Sequence, residues 1–396
     1  MINLTGENEM RYKIGIDVGG TFTDVFLLNE NNGELEVHKV SSTPDDPSKA
    51  ILKGVTEILR DHKIDPEHII YLAHGTTVAT NAIIEKKGGK VGLLTTKGFK
   101  DLLEIGRQTR PNLYDLQLDY PLPVVPRNLR LEVEERILHT GEVFISLDET
   151  SVEQQIHVLK EQGVEAVSIC LLYSYINSRH ESIIKKMVKQ KIPDCYISVS
   201  HEVLPEFREY ERLSTTTLNA FLMPIMESYL RNFQREVKEL GIVVPPRINQ
   251  SNGGLMSVET ACKFPLRTAL SGPSAGVISA LFIGKAIREK NLITFDMGGT
   301  STDVSLLDKG TPSVSSDRWV GGYPAKIPSV DVNAVGAGGG SIAWIDLDGL
   351  MKVGPKSAGA SPGPVCYVQG GTEPTVTDAN VILGRLNSEY LLGGLM

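Results

Sequence analysis

The sequence predicts a mixed α/β protein built from two similar domains. Three observations predict it. The chain opens with a run of short apolar strands and then alternates helix and strand, the order of a sheet covered by helices. One nine-residue pattern occurs twice, as DVGGTFTDV at 17–25 and DMGGTSTDV at 296–304, with seven of nine positions identical. And 396 residues, 41% of them hydrophobic, suffice for two or three domains with cores of their own.

Taken in order, Lys13–Ile16 reads as a buried strand, Val25–Leu28 as a second and Leu35–Val40 as a third. Asn31-Asn32-Gly33 supplies the hairpin turn between the last two. Asp46 is expected to cap a helix with Pro47 at its first position. Ile51, Val55, Ile58 and Leu59 make that helix's apolar stripe. Strand Ile69–Leu72 follows, then a polar loop at His74-Gly75-Thr76-Thr77, a helix through Asn81–Ile84 and a strand at Lys90–Thr95. Residues about 106–150, rich in proline and charge, read as an inserted extended segment.

Ser151 and Gln154 form a capping box for the next helix, which Gly163 stops. Strand Ala166–Leu172, a helix near Ser182–Lys191 and strand Tyr196–Ser200 complete a first domain, 1–204. The second, 205–396, opens with a helix from Thr215 to Leu240, ended by Gly241 and expected to kink or divide at Pro224. Ser271–Gly276 leads into an apolar helix, Val277–Ile287, and strand Leu292–Phe295 runs into Asp296. The Gly- and Pro-rich tail begins near 330.

The repeat carries the chemistry. In both copies an apolar strand ends in Asp, then Gly-Gly, and a second apolar run follows. Glycine lets backbone N–H groups approach a phosphate with no Cβ in the way. Gly19, Gly20, Thr21 and Thr23 in one copy, and Gly298, Gly299, Thr300, Ser301 and Thr302 in the other, are candidate phosphate contacts. Asp17 and Asp296 are candidate ligands for Mg²⁺, which takes oxygen ligands and keeps several waters. Two such hairpins facing each other can clasp ATP. Asp24 and Asp303 can act as a base, reach the metal through water, or tie off their hairpins. His74 can donate to a phosphate, polarise a substrate, or have no role. Thr76 and Thr77 are hydroxyl donors with the same ambiguity. Arg107 and Arg110 can clamp a substrate carboxylate or carbonyl, or lie in a solvated loop. Gly336–Ser341 taken alone is a turn. Glu206, Arg208, Glu209, Glu211 and Arg212 read best as an ion network between domains.

A net charge of −8 argues against general binding to nucleic acid or anionic membranes. No apolar stretch reaches the length of a membrane span, and MINLTGENEMRYK lacks a signal-peptide core. Cys170, Cys195, Cys262 and Cys366 lie too far apart in sequence to suggest a zinc site or a disulfide framework, and Cys170 reads as core. A cytoplasmic location is expected.

The two hairpins resemble the phosphate loops of the actin, hexokinase and Hsp70 ATPase fold, which has two RNase H-like domains around a nucleotide cleft. Ser271–Gly276, its helix and the Asp296 strand look like that fold's first connecting segment. A narrower resemblance rests on many segments in one order, among them DVGGTFTDVFLL, HGTTVATNAIIEKKG, EIGRQTRPNLYDL, EVLPEFREYERLSTT, QSNGGLMS, LSGPSAGVISA, ITFDMGGTSTDVSLL, VGAGGGSIAWID and PTVTDANVILGRL. Together they are similar to the hydantoinase A / 5-oxoprolinase family from about Lys13 onward. That resemblance implies ATP-dependent opening of a cyclic amide (a hydantoin, 5-oxoproline or a lactam) by phosphorylation of the amide oxygen. It also implies a cleft lined by Gly338 and Gly339, and work as a subunit beside a B-type chain or as a homo-oligomer. Members of this type continue further, so a fragment, a truncated form or a site completed by another chain is expected. An ATP-dependent ketone carboxylase subunit and a nucleotide-responsive module without turnover are the alternatives.

Overall fold

The computed structural model describes residues 10–19, 22–43, 47–112, 114–115, 117–299, 302–359 and 362–388. Strands β1 (Tyr12–Val18), β2 (Phe22–Asn29) and β3 (Leu35–Ser41) form an antiparallel meander, and helix α1 (Pro47–Asp61) lies across it. Alternation decides the faces. Ile14, Ile16 and Val18 point into the core, whereas Lys13, Gly15 and Asp17 point the other way. Gly54 lets α1 lie flat on the core face, since a Cβ there would sit 2.8 Å from Val25 Cγ2. The expected cap, Asp46, lies outside the described residues.

Strand β4 (Ile69–Gly75) pairs parallel to β1 and is followed by α2 (Val78–Ile84). The strand runs two residues into the stretch expected as a polar loop. His74 pairs with Ile16 and Gly75 with Asp17, so sheet pairing extends the strand to the edge of the turn.

From α2 the chain leaves this sheet and builds another. Strands β5 (Val91–Thr96) and β6 (Arg130–Val133), helix α3 (Glu149–Glu161), strand β7 (Ala166–Cys170), helix α4 (Arg179–Lys191) and strand β8 (Tyr196–Val199) give a four-stranded parallel sheet, order β8-β7-β5-β6. Its central strands, β5 and β7, are buried along their whole length, as a sheet covered on both faces requires. The segment expected as an insertion at about 106–150 therefore supplies an edge strand, β6. The cap of α3 is Asp148, whose carboxylate accepts from the N–H groups of Thr150 and Ser151, three residues before the expected Ser151.

Helix α5 (Glu209–Glu239) then spans both sheets. It is continuous through Pro224. Gly89 lies flat on the Pro224 ring, where a Cβ would be 2.6 Å from Pro224 Cγ, and its N–H donates to the Phe221 carbonyl in the turn the proline disturbs. At the start of α5, the fully buried Arg212 donates to the Leu171 carbonyl at 2.8 Å and to Ser200 Oγ at 3.0 Å, tying the helix to the ends of β7 and β8. Glu211 and Glu206 in the same charged cluster reach outward, to Arg107 and Lys326.

After α5 the chain returns to the first sheet. Strand β9 (Arg247–Asn249) pairs parallel to β4, and β10 (Leu255–Ser257) pairs with β9, giving six strands in the order β10-β9-β4-β1-β2-β3. The first sheet thus draws two strands from beyond residue 204, where the sequence placed a boundary. Helix α6 (Ser271–Ile287) starts at Ser271, so Ser271–Gly276 is its opening turn. Strands β11 (Leu292–Met297) and β12 (Thr302–Asp308) form the second hairpin, flanked by short strands at Thr311–Pro312 and Asn333–Val335. Ile293, Phe295 and Leu306 on this hairpin and Phe282 on α6 are more than half exposed, an apolar face that the described residues leave uncovered.

Candidate active site

The duplicated motif folds in duplicate. In the first hairpin Asp17 pairs with Asp24 and Val18 with Thr23; in the second Asp296 pairs with Asp303 and Met297 with Thr302. The same register places an acidic pair at the mouth of each turn. Gly19 closes the first turn by donating its N–H to the Phe22 carbonyl at 2.9 Å, and a Cβ on Gly19 would crowd that oxygen at 3.1 Å.

The two mouths share one electrostatic environment. The Asp17 carboxyl is held above its ordinary pKa, first by the protein mass around it and then by Asp24 and Asp296, with Lys39 opposing. It is open to solvent along the cleft, yet enclosed enough to be poorly hydrated. Asp303 is likewise raised, by burial and then by Asp296. Lys39 is committed to Asp24 at 2.5 Å, so carboxylate charge is in excess where the hairpins meet.

An excess of this kind suits a divalent cation. Among the described residues no three His, Cys, Asp or Glu side chains converge as a metal cage. Helix α6 adds to the setting. Its Gly276 lies beside Asp296, where a Cβ would make ordinary contact with Oδ2 at 3.6 Å, and Ser271 at its start donates to the Thr76 carbonyl at 3.3 Å.

Several residues singled out in the sequence lie elsewhere or have other work. His74 is fully buried on the core face, because it pairs with Ile16 and so points opposite to Asp17. Its Nε2 lies 2.6 Å from the Tyr229 hydroxyl and its ring packs on Phe233. Burial pushes its pKa down to about 3, with the Ile16 backbone opposing slightly, so the ring is neutral. A neutral core histidine corrects the expectation of a phosphate or substrate contact. Thr23 is buried too, its hydroxyl 3.0 Å from Ser42 Oγ, which in turn donates to the Gly19 carbonyl at 2.8 Å. Thr302 spends its hydroxyl on the Ala337 carbonyl at 2.5 Å. Both threonines brace hairpins rather than face a phosphate.

Thr76 is buried and accepts the Val78 N–H at 3.2 Å. Thr77 is half-buried beside the first turn and donates to the Val18 carbonyl at 3.3 Å. Arg107 is paired in bidentate fashion with Glu211, at 2.8 and 2.5 Å, and lines a separate cavity of about 400 Å³ under the Tyr120–Trp319 stack. Arg110 is exposed and lines neither that cavity nor the cleft at the first turn. The expected arginine clamp is therefore not assembled at the hairpins. Gly20, Thr21, Thr300 and Ser301 lie outside the described residues.

The glycine run after residue 335 has a definite place. Gly339 and Gly340 donate their N–H groups to the carbonyls of Gly298 and Gly299, at 2.8 and 2.6 Å. A Cβ on Gly340 would sit 2.9 Å from Gly299 O. Gly338 donates its N–H to Ser341 Oγ at 2.9 Å. The run buttresses the second turn backbone to backbone.

Two residues at the site carry no signal of their own in the sequence. Gly75 sits beside Asp17, and its missing Cβ would lie 3.4 Å from Asp17 Oδ1 and 3.3 Å from Asn249 Nδ2. Asp17, Gly75 and Asn249 thus stand side by side at the C-terminal ends of three parallel strands, β1, β4 and β9, the edge where open α/β sheets bind ligands. The Asn249 side chain makes no protein hydrogen bond among the described residues. Asn249 ends a three-residue strand that begins 172 positions after the last residue of β4, Gly75, and strand pairing at that range is not readable from one sequence.

The arrangement defines a class: an α/β protein with two like-folded hairpins, each carrying an acidic pair at its mouth, near enough for Asp296 to act on Asp17. The chain belongs to the hydantoinase/oxoprolinase family. The family's N-terminal region matches residues 13–192, and the hydantoinase/oxoprolinase domain matches residues 212–396. Caprolactamase subunit alpha of Pseudomonas jessenii is 42% identical over 393 residues, covering 98% of this chain and 56% of the relative. 5-Oxoprolinase 1 of Arabidopsis thaliana is 35% identical over 413 residues, covering 96% of this chain and 32% of the relative. Among solved structures, the ATP-dependent caprolactamase from Pseudomonas jessenii superposes with a TM-score of 0.85 at 40% identity, over 97% of this chain and 56% of that one. Nucleotide-free acetone carboxylase gives 0.80 at 29% identity, over 98% and 57%. The chain therefore spans a little over half of the caprolactamase and acetone carboxylase chains and about a third of the oxoprolinase. No helix among the described residues is long and apolar enough to cross a membrane.

Proposed function

We propose that this chain is the nucleotide-binding part of an ATP-dependent enzyme that opens a cyclic amide, working as a subunit of a larger assembly. The observation that carries the reading is the matched pair of hairpins, with Asp17–Asp24 and Asp296–Asp303 in the same register and Asp17 held above its ordinary pKa by burial, then by Asp24 and Asp296. The meander β1-β2-β3 with β4 and β9 added parallel suits an RNase H-like domain of the actin and hexokinase type, and the second hairpin suits the start of its counterpart. The names of the relatives support a nucleotide requirement and a lactam-type substrate.

An amide resists water because its nitrogen donates into the carbonyl. ATP supplies a phosphoryl group that converts the amide oxygen into a leaving group. This chain's part is to hold and orient. The opening turn of α6 presents N–H donors to phosphate oxygens. Asp17 and Asp296 would hold Mg²⁺, which would neutralise phosphate charge, and Asn249 would donate to a phosphate oxygen beside Asp17. Excluding water and fixing the reacting atoms contribute the greater share of the rate in such phosphoryl transfers.

The test is substitution of either aspartate. Asp17→Ala and Asp296→Ala, assayed in the assembled enzyme, should each reduce Mg²⁺-dependent ATP hydrolysis by at least about 100-fold. Thermal unfolding midpoints should change little, because neither carboxylate packs in a core. Wild-type turnover in either variant would defeat the assignment. A second reading, a ketone carboxylase subunit, is favoured by the acetone carboxylase likeness. ADP release driven by lactams or hydantoins, rather than by ketones with bicarbonate, separates the two.

A further inference from the structure

A cleft of about 700 Å³ opens beside the first turn on the helical side of the sheet. Gly19 forms part of its wall, and Thr77 and Asn81 of α2 face Ser228 and Asn232 of α5 across it. Its volume lies in the range of small-molecule sites. Three features of its lining set the chemistry of a ligand. Ser228 and Asn232, four residues apart on one face of α5, make no side-chain hydrogen bond to protein among the described residues. Asn81 makes only a long contact, 3.4 Å from its Nδ2 to Thr77 Oγ1, which leaves its carbonyl and a second N–H open. And the charged side chains of the described lining, Glu85 and Lys87, are paired with each other at 2.8 Å.

We infer that this cleft takes the acceptor substrate, and that it selects a neutral cyclic amide over one bearing a carboxylate. The inference rests on the reading of the hairpins as the ATP site, because an acceptor must lie against the phosphoryl group that the first turn holds. A ring amide presents one carbonyl acceptor and one N–H donor. Primary amides on Asn81 and Asn232 can satisfy both at once, and the Ser228 hydroxyl can serve either. A ring with a carboxylate, such as 5-oxoproline, finds no uncommitted cation here. Its carboxylate would be left without a cation of its own or would compete with Glu85 for Lys87. Arg107, the one arginine of the expected clamp that lines a cavity, is held by Glu211 in the other one.

The experiment is equilibrium binding to the full chain in its assembly, with Mg²⁺ and a non-hydrolysable ATP analogue present, using caprolactam and 5-oxoproline as probes. Wild type should bind caprolactam more tightly than 5-oxoproline. Asn81→Leu and Asn232→Leu should each weaken caprolactam by about tenfold or more, the loss expected when a ligand's polar group is left unpaired, with nucleotide affinity and unfolding temperature unchanged. Asn232→Arg should raise 5-oxoproline affinity. Caprolactam affinity unmoved in both leucine variants, tighter binding of 5-oxoproline by wild type, or no binding of caprolactam at all would each overturn the inference. Nucleotide affinity that survives Asp17→Ala and Asp296→Ala would instead sink the reading of the hairpins on which it stands.

Discussion

At the scale of single residues, one step along β4 separates a site position from a core position. Gly75 faces Asp17 and Asn249, whereas His74 faces Tyr229 and Phe233. His74 has a consequence that can be measured. Its folded-state pKa is pushed down to about 3 from an ordinary 6.5, so acid protonates it in the unfolded chain and not in the folded one. The stability supplied by the neutral ring is complete above pH 6.5 and is lost as the pH falls towards about 3. His74→Phe keeps a ring against Phe233 and removes the titration, but leaves the Tyr229 hydroxyl without this partner. The variant should be less stable than wild type at pH 7, by roughly 1–3 kcal/mol. That gap should close, and can invert, between pH 6.5 and about 4. Denaturant unfolding of both proteins across that range measures it, and a gap independent of pH would contradict a buried neutral histidine.

At the scale of elements, the parts written in local pattern were legible. The three opening strands, α1, the strand–helix alternation to β8 and the duplicated motif all follow from apolar periodicity and turn residues. That both copies of the motif form hairpins was legible as well; their shared register appears only in the fold. What pairs at long range was not. Ser42 holding Thr23 and Gly19, the Gly339–Gly340 run holding Gly298–Gly299, and Asn249 beside Asp17 join segments with no shared local signal. The glycine run read alone as a turn, and its demand for glycine comes from a neighbouring backbone that only the fold supplies. Gly340→Ala tests that demand. Its methyl group would lie 2.9 Å from both Gly299 O and Ser357 Oγ, so the second turn must shift. Loss of about 1–3 kcal/mol of stability is expected, together with a fall in Mg²⁺-dependent ATP hydrolysis of at least about tenfold, since displaced turn donors lose their aim. Gly336→Ala, in the same run but with nothing within 4 Å of its Cβ position, serves as the control. A Gly340→Ala variant with full turnover and an unchanged melting temperature would show that the run does not position the hairpin.

At the scale of the molecule, the chain's order in sequence and its order in space part company after α2. The first sheet is begun by residues 12–75 and finished by residues 247–257, and between them the chain builds a separate parallel sheet and the helix that serves both. The family boundary between residues 192 and 212 is thus a boundary of sequence, not of the first sheet. A fragment of residues 1–204 would lack β9 and β10 and also α5, whose Tyr229, Leu230 and Phe233 fill the core beneath β4. It would expose the β4 edge and the apolar face carrying Ile16, Leu72 and His74 at once. An open edge beside an uncovered apolar face invites strand addition from another chain. A fragment ending near residue 335 restores both strands, the helix and the Val320–Ile327 stretch that packs in the same core. We expect the 1–204 fragment to aggregate or to unfold without cooperativity, and the 1–335 fragment to unfold in a single sharp transition as a monomer. Light scattering and circular dichroism on the two proteins decide it. A monomeric 1–204 fragment with slow amide exchange along β4 would show that the first domain is complete without the returning strands, and that α5 and β9 dock on a sheet already formed.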